Sequence, residues 1–228
     1  MSKSIDSVAV IVQARLGSQR VPQKMIRPFC GTTLFDLVLH KLTASTVIPN
    51  EHIFASVYEK ELVEKAEYWG VNIFNRSPAS ASEETDMKTI YEWHDKLPSN
   101  YKYVVLVSGC NPLLSINTIE NFYTKFITDK PENLFATIIK RTYYWDTEGR
   151  MLFNPNMSSK IMNTKLVEPV MEAAHCLYGS RLDIIKNNTF MVDLSKEKLN
   201  LLEIPEFEAF DIDYEWQFKT AETLYEQI

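Results

Sequence analysis

The chain has 228 residues, 45% of them hydrophobic and 12% aromatic, and a formal charge of −6. That much apolar and aromatic content can bury a full core, which argues against disorder, and the length suits one large α/β domain or two small ones. The acidic balance argues against a general nucleic-acid binder, whose affinity comes from neutralising phosphates, but leaves room for a small anion held by a local cluster of cations.

Val8–Gln13 is a short β-branched run and reads as a buried parallel strand. It is too short for a secretory leader or a membrane span, and no other stretch is long and apolar enough to cross a bilayer. Three cysteines, Cys30, Cys110 and Cys176, form no CxxC pair, so the expectation is reduced thiols in a cytoplasmic protein, with no zinc site. A loop from Ala14 to Lys24 follows, and then Leu34, Leu37, Val38 and Leu42 recur at helical spacing.

His52–Val57 reads as a strand, Glu59–Trp69 as a helix closed by Gly70, and Val71–Phe74 as a strand. Ser77–Thr85 is polar loop, Asp86–Lys96 helical, and Tyr103–Val107 the next strand, ending in Ser-Gly-Cys-Asn-Pro. Asn117–Ile127 reads as helix and Leu134–Lys140 as strand. Alternation of this kind predicts a Rossmann-like α/β fold: an open, mostly parallel sheet flanked by helices.

The pattern loosens after Arg141. Tyr143, Tyr144 and Trp145 precede Asp146, Gly149 and Asn154-Pro155, so residues 141–178 read as an inserted arm, flap or hairpin within a single 1–228 domain. His175–Tyr178 reads as a further strand, Leu182–Lys186 as helix, Leu199–Ile204 as strand, and Tyr214–Gln227 as a closing helix.

Two constellations carry chemistry. The first is the loop Gln13-Ala14-Arg15-Leu16-Gly17-Ser18-Gln19-Arg20-Val21-Pro22-Gln23-Lys24. In an open α/β sheet, ligands bind beyond the carboxyl ends of strands, where this loop belongs. Gly17 lets backbone approach a ligand, and Ser18, Arg15, Arg20 and Lys24 suit a polyphosphate; the alternative is a solvated basic turn. The loop matches neither the Walker A nor the GxGxxG pattern.

The second constellation is Asp211-x-Asp213. Two carboxylates pointing the same way repel unless a cation or donors lie between them, so the pair is a candidate Mg²⁺ site. The alternative is a helix cap at Asp213 beside a surface carboxylate. Glu215 reads as a partner of the last helix's dipole.

Ala14-Arg15-x-Gly17-Ser18-x-Arg20-x-Pro22-x-Lys24 resembles the N-terminal signature of the cytidylyltransferases that make CMP-activated sugar acids, including the acylneuraminate, nonulosonate, Kdo and spore-coat-polysaccharide-type branches. The family also carries Asp-x-Asp metal ligands ahead of a late helix, which match Asp211 and Asp213. Met25 stands where the family's usual Asn follows the Lys.

The resemblance implies a fold of the nucleotide-diphospho-sugar transferase type and an arm that serves a homodimer. It implies Mg²⁺-dependent attack of an acidic sugar on CTP, releasing pyrophosphate. Ala14, Arg15, Gly17, Ser18, Arg20 and Lys24 would then hold the nucleotide, joined by Arg76 (which could instead cap its own loop) and Ser108. Arg15, Lys24 and Asp211 would be the catalytic residues. Asn111 and His175 are placed near the sugar, although a lone histidine is also a common structural residue. His175 and a metal-bound alkoxide both stay open as the base. The Ser108–Asn111 segment departs from both the sialic acid and the Kdo patterns. Two rival readings are a nucleotide-sugar glycosyltransferase, whose DxD usually sits mid-chain, and a catalytically silent nucleotide-binding subunit.

Overall fold

β1 (Val8–Gln13) is the strand around which the rest is placed in this computed structural model, which describes residues 3–82, 85–129, 132–152, 162–193 and 199–227. Its alternate side chains enter two different cores. Val8, Val10 and Val12 point to one face and Ala9 and Ile11 to the other, and all five are fully buried. A strand that is apolar on both faces needs covering layers on both sides, which explains the continuous rather than alternating run.

β1 pairs in parallel with β4 (Ile53–Val57) on one side and β6 (Tyr103–Val107) on the other. β5 (Asn72–Asn75) extends the first side. Beyond β6 come β8 (Val170–Arg181), β7 (Leu134–Lys140) and β9 (Leu201–Glu203). The order among the described residues is β5-β4-β1-β6-β8-β7-β9, and β8 alone runs antiparallel to its neighbours. Between β1 and β4 sits a two-stranded hairpin, β2 (Pro28–Phe29) and β3 (Thr32–Thr33), turning through Cys30 and Gly31 at positive φ.

Helices α1 (Leu34–Thr43), α2 (Lys60–Trp69), α4 (Ile116–Thr128) and α6 (Glu215–Tyr225) cover the larger core, and α5 (Leu182–Ile185) closes part of the smaller one. Thr33 and Ser115 cap α1 and α4 by accepting from the Asp36 and Thr118 amides. Among the described residues no helix is long and apolar enough to cross a membrane.

Three stretches differ from expectation. The helix expected over 86–96 is only α3 (Met87–Ile90), capped by Asp86 and followed by a 3₁₀ turn at Glu92–Asp95. The break lets Trp93 bury completely and donate Nε1–H to Gln13 Oε1 at 2.8 Å. The strand expected at His175–Tyr178 is the middle portion of the twelve-residue β8, so residues 170–178 belong to the sheet rather than to an excursion. The excursion itself begins as a hairpin: Trp145 bridges Met151 across a turn in which Asp146 Oδ1 accepts from the Glu148 and Arg150 amides. Residues 153–161 of the expected arm lie outside the described residues. The last helix starts at Glu215, with Tyr214 rather than Asp213 as its cap.

Candidate active site

After β1 the chain goes to β4 on one side of the sheet; it later returns to β6 on the other. The carboxyl ends of β1 and β6 therefore flank a topological switch point, the place where open α/β sheets take ligands. Two hollows open there, of about 320 and 580 Å³. They share Gln13, Ala14, Arg15 and Cys110 as a common wall. The first runs along Ser108–Cys110 toward Tyr91, His175 and Tyr178; the second follows Ser18, Arg20 and Lys24 to Asp213.

The cationic loop meets Asp213 in the second hollow, whereas Asp211 lies behind it and lines neither hollow. An Arg20 Nη donates to Asp213 Oδ1 at 2.7 Å, and Lys24 Nζ donates to the Ile212 carbonyl at 2.6 Å while lying 3.9 Å from Asp213 Oδ1. The loop has its own scaffold. Leu16 N–H donates to Glu59 Oε1 at 2.7 Å, Val21 N–H to Ser18 Oγ at 3.3 Å, and an Arg15 Nη to the Ala81 carbonyl at 3.2 Å. Gly17 is exposed with no atom near its missing Cβ, so the backbone is open to a ligand.

Asp211 is the chemically poised member of the acidic pair. Its Oδ1 is buried without a hydrogen-bond partner. Burial, and then the neighbouring Asp213 charge, push its carboxyl above the usual carboxylate range against the opposing pull of Lys24 and His175. An unpartnered buried carboxylate oxygen beside a second carboxylate fits a hard divalent cation, which takes one or two protein carboxylates and fills its remaining positions from water and phosphate. Among the described residues no cluster of three or more His, Cys, Asp or Glu side chains surrounds a common point, so a cation here would rest on this pair.

The middle segment divides. Ser108 lines the first hollow, with its amide bonded to the Cys176 carbonyl and its hydroxyl accepting from Cys110 N–H. Gly109 lies against Met25, whose Cε is only 2.7 Å from where a Cβ would sit. Asn111, placed near the sugar by the sequence reading, is instead buried at 3% exposure and donates Nδ2–H to the Ala209 carbonyl at 3.2 Å. The reason is the turn after β6: its next residue faces the packed side, and an amide there satisfies a backbone carbonyl of the Asp211 segment.

Arg76 lines the first hollow, but its donors are spent inward on Ser80 and on the Ala14 carbonyl at 3.1 Å. Of its two sequence-level roles the structure shows the loop brace, and burial pushes its guanidinium down to about 10, aided by Arg15. His175 sits on an exposed bulge of β8 at φ +54, with Nδ1 within 2.9 Å of the Tyr178 hydroxyl. That strained backbone turns the ring into the first hollow. Tyr91 and Tyr178 also line it and were not legible, since lone tyrosines in apolar runs carry no motif. The Gln13–Trp93 bond that fixes the floor is equally silent in sequence.

Residues 9–228 match the family described as Cytidylyltransferase. The chain is 24% identical over 225 residues to a pseudaminic acid cytidylyltransferase of Campylobacter jejuni, with 94% of each chain covered. It is 27% identical over 179 residues to a 3-deoxy-manno-octulosonate cytidylyltransferase of Francisella philomiragia, covering 78% of this chain and 64% of that one. Among solved structures it superposes on CMP:2-keto-3-deoxy-manno-octonic acid synthetase complexed with CTP, at a TM-score of 0.68 and 13% identity over 96% of this chain and 98% of that one. It also superposes on 4-diphosphocytidyl-2C-methyl-D-erythritol synthase from Anaerococcus prevotii, at 0.67 and 14% over 98% and 100%. At such identities the structural likeness speaks for the fold.

Proposed function

The chain belongs to the cytidylyltransferase family, and on that premise we propose that it joins CTP to an acidic sugar of the nonulosonic or related class, releasing pyrophosphate in a Mg²⁺-dependent reaction. The observation that carries the reading is the meeting of Arg20 and Lys24 with the 211–213 segment at the carboxyl end of β1. The names of the relatives, which act on pseudaminic acid and 3-deoxy-manno-octulosonate, support the substrate class.

The sugar hydroxyl loses its proton, with His175 the side chain facing that end, and attacks the α-phosphorus; a P–O bond forms, the α–β anhydride breaks, and pyrophosphate leaves. The protein's contribution to such a displacement is positioning and charge neutralisation. Ala14 and Gly17 offer backbone to the nucleotide, with Ser18 and Ser108 beside it. Arg15, Arg20 and Lys24 neutralise the triphosphate and the leaving pyrophosphate. Asp211 and Asp213 are the residues that would hold Mg²⁺, which when bound supplies positive charge against the phosphates. Arg76 keeps the Ala14 carbonyl in place, and His175, steadied by Tyr178, faces the sugar end. Trp145, Met151 and Leu152, all exposed on the hairpin, support a homodimer through this arm, which light scattering tests directly.

A pyrophosphate-release screen of four nucleoside triphosphates against a panel of nonulosonic and related acids tests the proposal. Release with CTP and at least one acid, abolished by chelation, supports it. CTP binding with no release from any acid would turn the reading toward a silent nucleotide-binding subunit.

A further inference from the structure

Asp211 Oδ1 has no hydrogen-bond partner, so the position of this carboxylate depends on its backbone. That backbone is tied to the turn after β6 at three points. Ile212 N–H donates to the Cys110 carbonyl at 3.0 Å, Asn111 Nδ2 to the Ala209 carbonyl at 3.2 Å, and buried Glu208 accepts from Ser115 N–H at 2.9 Å and Ser115 Oγ at 3.2 Å. The turn is anchored in its own right by Lys41 on α1. Its ammonium donates to the Pro112 carbonyl at 2.5 Å and the Leu114 carbonyl at 2.7 Å, within the field of Glu208.

Lys41 and Glu208 line neither hollow of the site. Half-burying the Lys41 ammonium and burying the Glu208 carboxylate is costly, and an apolar contact could hold α1 to the turn without that cost. What an apolar contact could not do is satisfy two turn carbonyls and the α4 amide while fixing the register of the 206–212 segment. We propose that Lys41 and Glu208, each bonded to the turn after β6, are positioning residues that set the location of the Asp211 carboxylate, with Asn111 as a third tie. The inference rests on the assignment of Asp211 as a cation ligand.

The test uses Mn²⁺ as the probe, with its binding to the full-length protein followed by electron paramagnetic resonance in the presence of CTP. Glu208→Gln and Lys41→Met are compared with wild type, Lys41→Arg and Asp211→Asn. The expected result is weakening of Mn²⁺ binding by about 10-fold or more in Glu208→Gln and Lys41→Met, the scale for residues that support metal ligands. With Mn²⁺ saturating, the KM for CTP stays within about twofold, and Lys41→Arg recovers most of the affinity. Folded variants with lowered melting temperature but unchanged Mn²⁺ affinity would overturn the positioning role and leave the site assignment standing. If Asp211→Asn itself leaves Mn²⁺ binding unchanged, the assignment falls and takes the inference with it. Should Lys41→Met and Glu208→Gln not fold, Asn111→Ala, which cuts only the Ala209 tie, decides by the same two readouts.

Discussion

Replacing Asp211 with Asn should make the free protein more stable and the liganded protein less so. In the free protein the Asp211 carboxylate is raised above its usual range by burial and by Asp213, and its Oδ1 is unpartnered. The amide keeps a polar atom at this unpartnered position but sheds the charge, so it removes the charge's burial cost and its repulsion from Asp213 while losing the attraction of Lys24. A net gain of about 1 kcal/mol for the neutral amide corresponds to a melting temperature roughly 2–4 °C higher in a chain of this size. With CTP and Mg²⁺ at about a hundred times their dissociation constant, the wild type gains about 2.7 kcal/mol by mass action. The variant, lacking the charge that a cation needs, gains less than half of that. The two melting curves should therefore exchange order when CTP and Mg²⁺ are added. Differential scanning calorimetry with and without the pair reads both differences. A variant that melts below wild type when free, or that gains as much from ligand, would refute the reasoning.

Lys24→Ala should keep a native circular dichroism spectrum yet lower turnover by at least ~10²-fold at saturating CTP, the range for losing a preorganised electrostatic group. Gly179→Ala places a Cβ 2.7–3.0 Å from the Phe126 ring. Overpacking of this kind costs about 1–3 kcal/mol and should lower the melting temperature by several degrees, with Phe126→Leu restoring part of it. The Arg27 guanidinium grips both Glu215 oxygens, at 2.7 and 2.6 Å, and holds its carboxyl below the ordinary range. That contribution is present above the unfolded carboxylate range and fades as pH falls through the folded value. Glu215→Gln should therefore melt lower than wild type at pH 7, and the gap should close as pH is lowered through the acid range.

The central parallel strands were legible because they are buried on both faces: Val8–Gln13 and Tyr103–Val107 read as apolar runs and appear with those bounds. Leu134–Lys140, beside the antiparallel strand, was also found with its bounds. β8 was only partly legible. Its first half carries exposed Met171 and Glu172, and the bulge at His175 interrupts the period by which strands are recognised. The 86–96 stretch has helical spacing, but the burial of Trp93 against Gln13 overrode local propensity.

At the candidate site, charge and spacing singled out Arg20, Lys24, Asp211 and Asp213, segments that the structure brings together. Type alone could not say which way Asn111 faces or where the Arg76 donors go, because both depend on carbonyls contributed by distant segments, Ala209 and Ala14. Lys41 and Glu208 were invisible for the same reason: they lie 167 positions apart on elements that resemble any other amphipathic surface.

On the proposed function, the bond between Arg20 and Asp213 makes the carboxylate a stand-in for the first phosphate. Cations crowded into a short loop would spread apart if nothing negative lay among them, and an arriving nucleotide would then have to gather them again. Asp213 keeps them mustered, so nucleotide binding becomes an exchange of one anion for another and leaves the carboxylate at liberty for a cation. Nucleotide and cation should therefore favour each other's arrival, each weak when offered alone.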